Sequence, residues 1–142
     1  QAQYAEAEQI ARRGLMISEV SNSTWEQLSC FCSLAEALTA AGAHEQARQV
    51  VGEGLVLSGS LGTISSAARL FVILARLESA AGRRERAVEL CLALMDDPAV
   101  EQYYLGLAQA HLEELGVGLP LERLKDIPTL LQEMGITLNE SG

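Results

Sequence analysis

Over residues 25–41 the apolar side chains fall at 28, 31, 34, 35 and 38, the spacing of three and four that lines one face of an α-helix. Gly42 follows the stripe, and glycine takes a left-handed helix cap at no steric cost. From His44 a second stripe begins, small or apolar at 47, 50, 51, 54 and 55. A turn of two or three residues between two helices makes them antiparallel neighbours. Ala35 and Ala47 lack bulk and allow the two backbones to come close. The same criteria predict helices over 3–18, 24–41, 44–57, 64–81, 84–95, 99–115 and 121–134. Asp97-Pro98 marks the start of the sixth, an N-cap with proline in the first turn. Asp126 and Pro128 break or restart the seventh, and the tail 137–142 is expected to fray.

The stripes repeat at an offset of 40. Leu34 matches Leu74, Ala35 matches Ala75, Gly42 matches Gly82, Ala47 matches Ala87 and Leu55 matches Met95. One step back, Ala7 matches Ala47, and "GLMIS" from Gly14 matches "GLVLS" from Gly54. One helix pair cannot bury its stripes alone, whereas stacked pairs can.

Phe31, Leu34-Ala35, Leu38, Gly42, Ala47, Val51 and Gly54 make up one copy. Phe71, Leu74-Ala75, Glu78, Gly82, Ala87, Cys91, Leu94 and Pro98 make up the next. Tyr104, Leu107-Ala108 and His111 open another, 33 residues after Phe71, the difference being assigned to the connector. Over residues 4–116 this pattern resembles the tetratricopeptide repeat family. Glu78 and His111 depart from it, standing where the family favours bulky residues, and Leu115-Gly116 moves the turn glycine by one. The 40-residue pairs are also similar to those of large bacterial transcription activators of the maltose-regulator type. The resemblance implies an all-α fold, a right-handed α-α superhelix of about seven helices. It implies one domain over 1–142: a partial repeat at 1–22, repeats at 23–61 and 62–98, and a repeat with an irregular capping helix at 99–142. A chain that opens at Gln1 already in helical pattern reads as a piece of a larger protein.

In that family the first helix of each pair lines a concave groove. The resemblance therefore implies that Ser29, Cys32, Ser33, Glu36 and Thr39 face it from one copy. Arg69, Val72, Ile73, Arg76 and Ser79 follow from the next, and Gln102, Leu105, Gln109 and Leu112 from the third. The candidate partner-binding residues are Cys32, Glu36, Arg69, Val72, Arg76, Gln102, Leu105 and Gln109. Arg69 and Arg76 lie two helical turns apart on one face. They clamp a carboxylate of a bound peptide, or they pair with Glu36 and Glu78 or simply face solvent.

Charge narrows the partners. Nineteen acids against ten bases give a net charge of −9, which repels phosphate backbones and disfavours nucleic acid. The longest apolar run, 70–75, is too short to span a bilayer, so no membrane contact is expected. Three cysteines without a dense framework fit a reduced, cytoplasmic setting, where the sequons at Asn22 and Asn139 stay unmodified.

The sequence offers little chemistry. No nucleotide-binding loop or nucleophile elbow is present. "SGSLGT" at 58–63 resembles an anion cradle before a helix, but its simpler reading is a connector. Cys30 and Cys32 point about 200° apart on a helix, and His44 and His111 lack partners at ligand spacing. Cys91 holds a packing position. "RRER" at 83–86 reads as a solvated turn. No metal, cofactor or catalysis is expected. The expected function is a non-catalytic interaction module that binds a protein or peptide on its concave surface, within a larger regulatory protein. The alternative is a small-molecule-sensing domain of a bacterial transcriptional regulator, and self-association through the ends of the stack is a further expectation.

Overall fold

The computed structural model describes residues 5, 6, 8–10, 12–14, 16, 24–62, 64–95, 97–117 and 125–136. Among the described residues every regular element is an α-helix. Helical residues between 5 and 16 form α1. They are followed by α2 (Thr24–Ala40), α3 (His44–Leu61), α4 (Ile64–Ala80), α5 (Arg84–Met95), α6 (Gln102–Glu114) and α7 (Ile127–Glu133).

The turns after α2 and α4 have the same construction. Gly42 and Gly82 sit at φ 82° and 81°, where a Cβ is strained. Gly42 N–H donates to Thr39 O and Ala43 N–H to Leu38 O; Gly82 N–H donates to Ser79 O and Arg83 N–H to Glu78 O. These paired bonds cap the last carbonyls of each helix and turn the chain back on itself. The following helix then packs on the one just ended, α3 on α2 and α5 on α4.

The predicted stripes are the buried ones. Leu28, Leu34, Ala35 and Leu38 of α2 meet Ala47, Val50, Val51 and Leu55 of α3 in the core. Ala35, Ala47, Ala75 and Ala87 have no exposed surface, so the helices of each pair close to alanine distance. Gly54 serves the same end: a Cβ there would stand 3.0 Å from Leu70 Cδ1 and 3.4 Å from Phe31 Cβ. Helix α4 is central and touches α2, α3, α5 and α6. That explains why it is apolar nearly all round, with Ala67, Leu70, Phe71, Ala75 and Leu77 wholly buried. Each such Leu or Phe contributes about 1.5–3 kcal/mol by leaving water.

Three boundaries differ from expectation. Helix α3 continues to Leu61 instead of stopping at 57. Ser58 and Gly59 are buried in the packing, and the left-handed residue is Gly62, whose N–H caps Ser58 and Gly59 carbonyls. The expected connector, and the anion cradle read into it, are thus a helical end. Helix α6 begins at Gln102 rather than 99, because the Asp97 carboxylate bonds Ala99 N–H at 2.9 Å and Val100 N–H returns to Asp97 O. That makes an isolated turn instead of a cap. Helix α7 is the short Ile127–Glu133, restarted by Asp126, whose side chain caps Thr129 N–H with proline in the first turn. The stretch 118–124, the sequons at Asn22 and Asn139, and the tail 137–142 fall outside the described residues.

Candidate functional site: a groove along α2, α4 and α6

Helices α2, α4 and α6 touch in succession, α2 on α4 and α4 on α6. Their side chains border two adjoining hollows. One, of about 460 Å³, is lined by Ser33, Glu36, Ala37, Thr39 and Ala40 of α2 with Ile73 and Arg76 of α4. The other, of about 250 Å³, is lined by Glu36, then Arg69, Val72, Ile73 and Arg76, then Tyr103, Tyr104 and Leu107 of α6. Glu36, Ile73 and Arg76 border both, so the hollows form one groove across the three helices.

Small side chains make the floor on α2, since Ala37 is buried and the Thr39 hydroxyl is turned down onto Ala35 O at 2.7 Å. Ile73 and Val72 are 5% exposed and show the groove only an apolar edge. Tyr103 stands 69% exposed on the α6 wall, edge-on to Tyr104 with ring centroids 5.4 Å apart. The walls are therefore mixed, with apolar and aromatic edges between the charges of Glu36, Arg69 and Arg76.

Those charges are unequal. Arg69 Nε donates to Glu36 Oε1 at 2.5 Å. Burial works against the Arg69 charge, but the bond and charge of Glu36 prevail and raise its pKa. Arg76, two turns along, is exposed and has no ion pair among the described residues. The carboxylate set against it in the sequence reading, Glu78, instead accepts from Arg48 of α3 and from Arg83 Nε at 2.8 Å.

The eight carried-over residues separate into three groups. Glu36, Arg69, Val72 and Arg76 come together in the groove. Cys32 is only 3% exposed and lies beneath it; burial pushes its thiol up to about 11, with Arg69 opposing and Glu36 adding. From α6, Leu105 packs against the core, and Gln102 and Gln109 are exposed without lining either hollow. The register for α6 was carried over with Tyr104 as an interior residue, whereas Tyr104 borders the groove beside Tyr103 and Leu107. In a chain with six aromatic residues, adjacent tyrosines were the available signal.

The other polar groups are engaged in joining helices. Ser79 Oγ lies 2.7 Å from His111 Nε2, and His111 Nδ1 lies 3.3 Å from Glu114 Oε2. The arginines of "RRER" are not merely solvated: Arg83 holds Glu78, Arg84 donates to Leu115 O at 2.8 Å, and Arg86 reaches Glu89 and Glu133. Cys91 is buried, its thiol pushed up to about 12 by that burial. Among the described residues no cluster of three His, Cys, Asp or Glu side chains is placed to hold a metal ion. Nor is any helix there long and apolar enough to cross a membrane.

No family profile, no curated protein and no solved structure matches the chain.

Proposed function

We propose that this chain is a non-catalytic interaction module of tetratricopeptide type, a right-handed superhelix holding a peptide or partner segment along α2, α4 and α6. The contact order supports the architecture: each of α2 to α5 packs on the next helix, and α2, α4 and α6 meet in turn. The observation that carries the function is Arg76. In a chain of net charge −9 it is a guanidinium without an ion pair among the described residues, on a tyrosine-walled groove with apolar edges. A carboxylate is the group that complements it, and the apolar edges of Val72, Ile73 and Leu107 suit an aliphatic neighbour of that acid. The partner is thus an acidic peptide segment with an apolar residue beside the acid, bound by the chain as part of a regulatory protein.

Capture from a lysate of the source cell tests the reading, with wild-type bait beside an Arg76→Glu variant of equal helicity. Partners retained by the wild type and reduced at least tenfold by the variant are expected. Equal retention contradicts the groove as the binding face.

The larger hollow, of about 460 Å³, also falls in the range of small-molecule sites. It favours a second reading, a sensor domain of a bacterial transcriptional regulator. A rise in Tm with a small carboxylate metabolite, absent in Arg76→Glu, is the outcome that reading expects.

A further inference from the structure

Arg69 and Arg76 line the same hollow from the same helix, yet only Arg69 is already matched. Its match comes from within the groove: Glu36 borders both hollows, and its side chain is 49% exposed. Its carboxylate holds Arg69 Nε, so a ligand acid reaching the remaining guanidinium N–H groups would meet a charge of its own sign beside them. We propose that Glu36 is a built-in competitor that sets the groove's selectivity, so that the groove takes one ligand acid, at Arg76, and rejects a second at Arg69. The proposal rests on the groove being the peptide-binding face.

The physical reason is a difference between the two sites. At Arg76 a ligand carboxylate gains a charge-assisted bond and displaces only water. At Arg69 it must either displace a carboxylate that is tethered to the same fold and always present at high effective concentration, or share the guanidinium with that like charge. The displaced Glu36 would then lie unpaired beside a like charge. A second acid is therefore penalised, and selectivity arises from that penalty as much as from the attraction at Arg76.

Seven residues of helix separate the two arginines by about 10 Å along the axis. Three residues of a polyproline-II segment advance about 9 Å and return to the same side. Acids at i and i+3 of such a segment would reach both arginines, which defines the probe. Three peptide arrays are needed, with fixed Asp-x-x-Asp, Asp-x-x-Asn and Asn-x-x-Asn in random flanks. They are read with the wild-type chain and with Glu36→Gln, an exposed substitution checked by circular dichroism. The wild type is expected to bind Asp-x-x-Asn at least as well as Asp-x-x-Asp, and both above Asn-x-x-Asn. Glu36→Gln should gain about tenfold on Asp-x-x-Asp and less than about twofold on Asp-x-x-Asn. Adding Arg69→Gln should abolish that gain. An equal gain on both acidic arrays, or none on either, overturns the proposal and leaves groove binding standing. Binding of Asn-x-x-Asn as tight as that of the acidic arrays, or no binding at all, overturns the proposal together with the groove reading.

Discussion

In the hairpin α2–α3, Leu38 fills the last turn of the first helix and is 1% exposed. Forty residues on, in α4–α5, the same position holds Glu78, 5% exposed. The backbone does not register the exchange, since both helices end in the same pair of capping bonds around a left-handed glycine. The partners do. Glu78 accepts from Arg48, one helix earlier, and from Arg83, in its own turn. In the register of Leu38 those two places hold Glu8 and Ala43, neither of them a cation. A repeat position that is apolar in one copy thus holds a carboxylate in the next only where two neighbouring elements each bring an arginine. The arrangement also ties α3, α4 and the start of α5 together by charge. In the third copy the position holds His111, which is satisfied by Ser79 and Glu114.

The comparison breaks most visibly by exchange. Leu38→Glu puts a carboxylate in the core with no cation in register, and is expected to lose about 4 kcal/mol or more in urea denaturation. Glu78→Leu is expected to stay within about 1 kcal/mol of wild type, because Arg48 and Arg83 keep 30% and 53% exposure and can turn to water. Similar losses from both exchanges would show that the two hairpins are held alike.

A smaller effect separates charge from shape. Glu78→Gln keeps the volume and is expected to cost about 2 kcal/mol at neutral pH. Burial presses the Glu78 carboxyl upward, but the bonds and charges of Arg83 and Arg48 outweigh it and hold its pKa below the ordinary range. A depressed folded pKa gives stability that is present above the unfolded value, about 4.3, and lost as pH falls through the folded one. The difference between wild type and Glu78→Gln should therefore be level from about pH 5 to 8 and shrink below about pH 4. A difference that persists into acid would contradict a charge-based tie.

The smallest effect tests what the hairpins share. No atom lies within 4 Å of a Cβ built on Gly42 or Gly82, so alanine there meets only backbone strain. Each substitution is expected to cost about 1 kcal/mol, and the two costs should be equal. A clear inequality in urea midpoints would show that the Glu78 ties reach into the turn.

Much of this fold was legible because burial is written as periodicity. Positions 28, 31, 34, 35 and 38 and positions 47, 50, 51, 54 and 55 read as stripes, and all are buried except Phe31, which is partly buried against the core. The end of α3 was not legible. "SGS" reads as a turn by local preference, and only its burial keeps Ser58 and Gly59 helical. The start of α6 was misread because Asp97 can cap a helix or close a turn, and residue type does not distinguish the two. In the groove, the α2 and α4 walls, Cys32 excepted, followed from the register carried over with the tetratricopeptide resemblance. The α6 wall did not, because aromatic residues serve equally in a core and on a surface. The partner of Glu78 lies 30 residues away in Arg48, and no local pattern points to it.

The most direct test of the groove is a map of where an acidic peptide lands. A peptide of Asp-x-x-Asn pattern bound by the wild type, titrated into ¹⁵N-labelled chain, is predicted to shift amides around Glu36, Ala40, Ile73, Arg76, Tyr104 and Leu107. The same titration of Arg76→Gln should leave them still. Shifts centred on the arginine turn at 82–89, or on α3 and α5 away from the groove, would contradict the account.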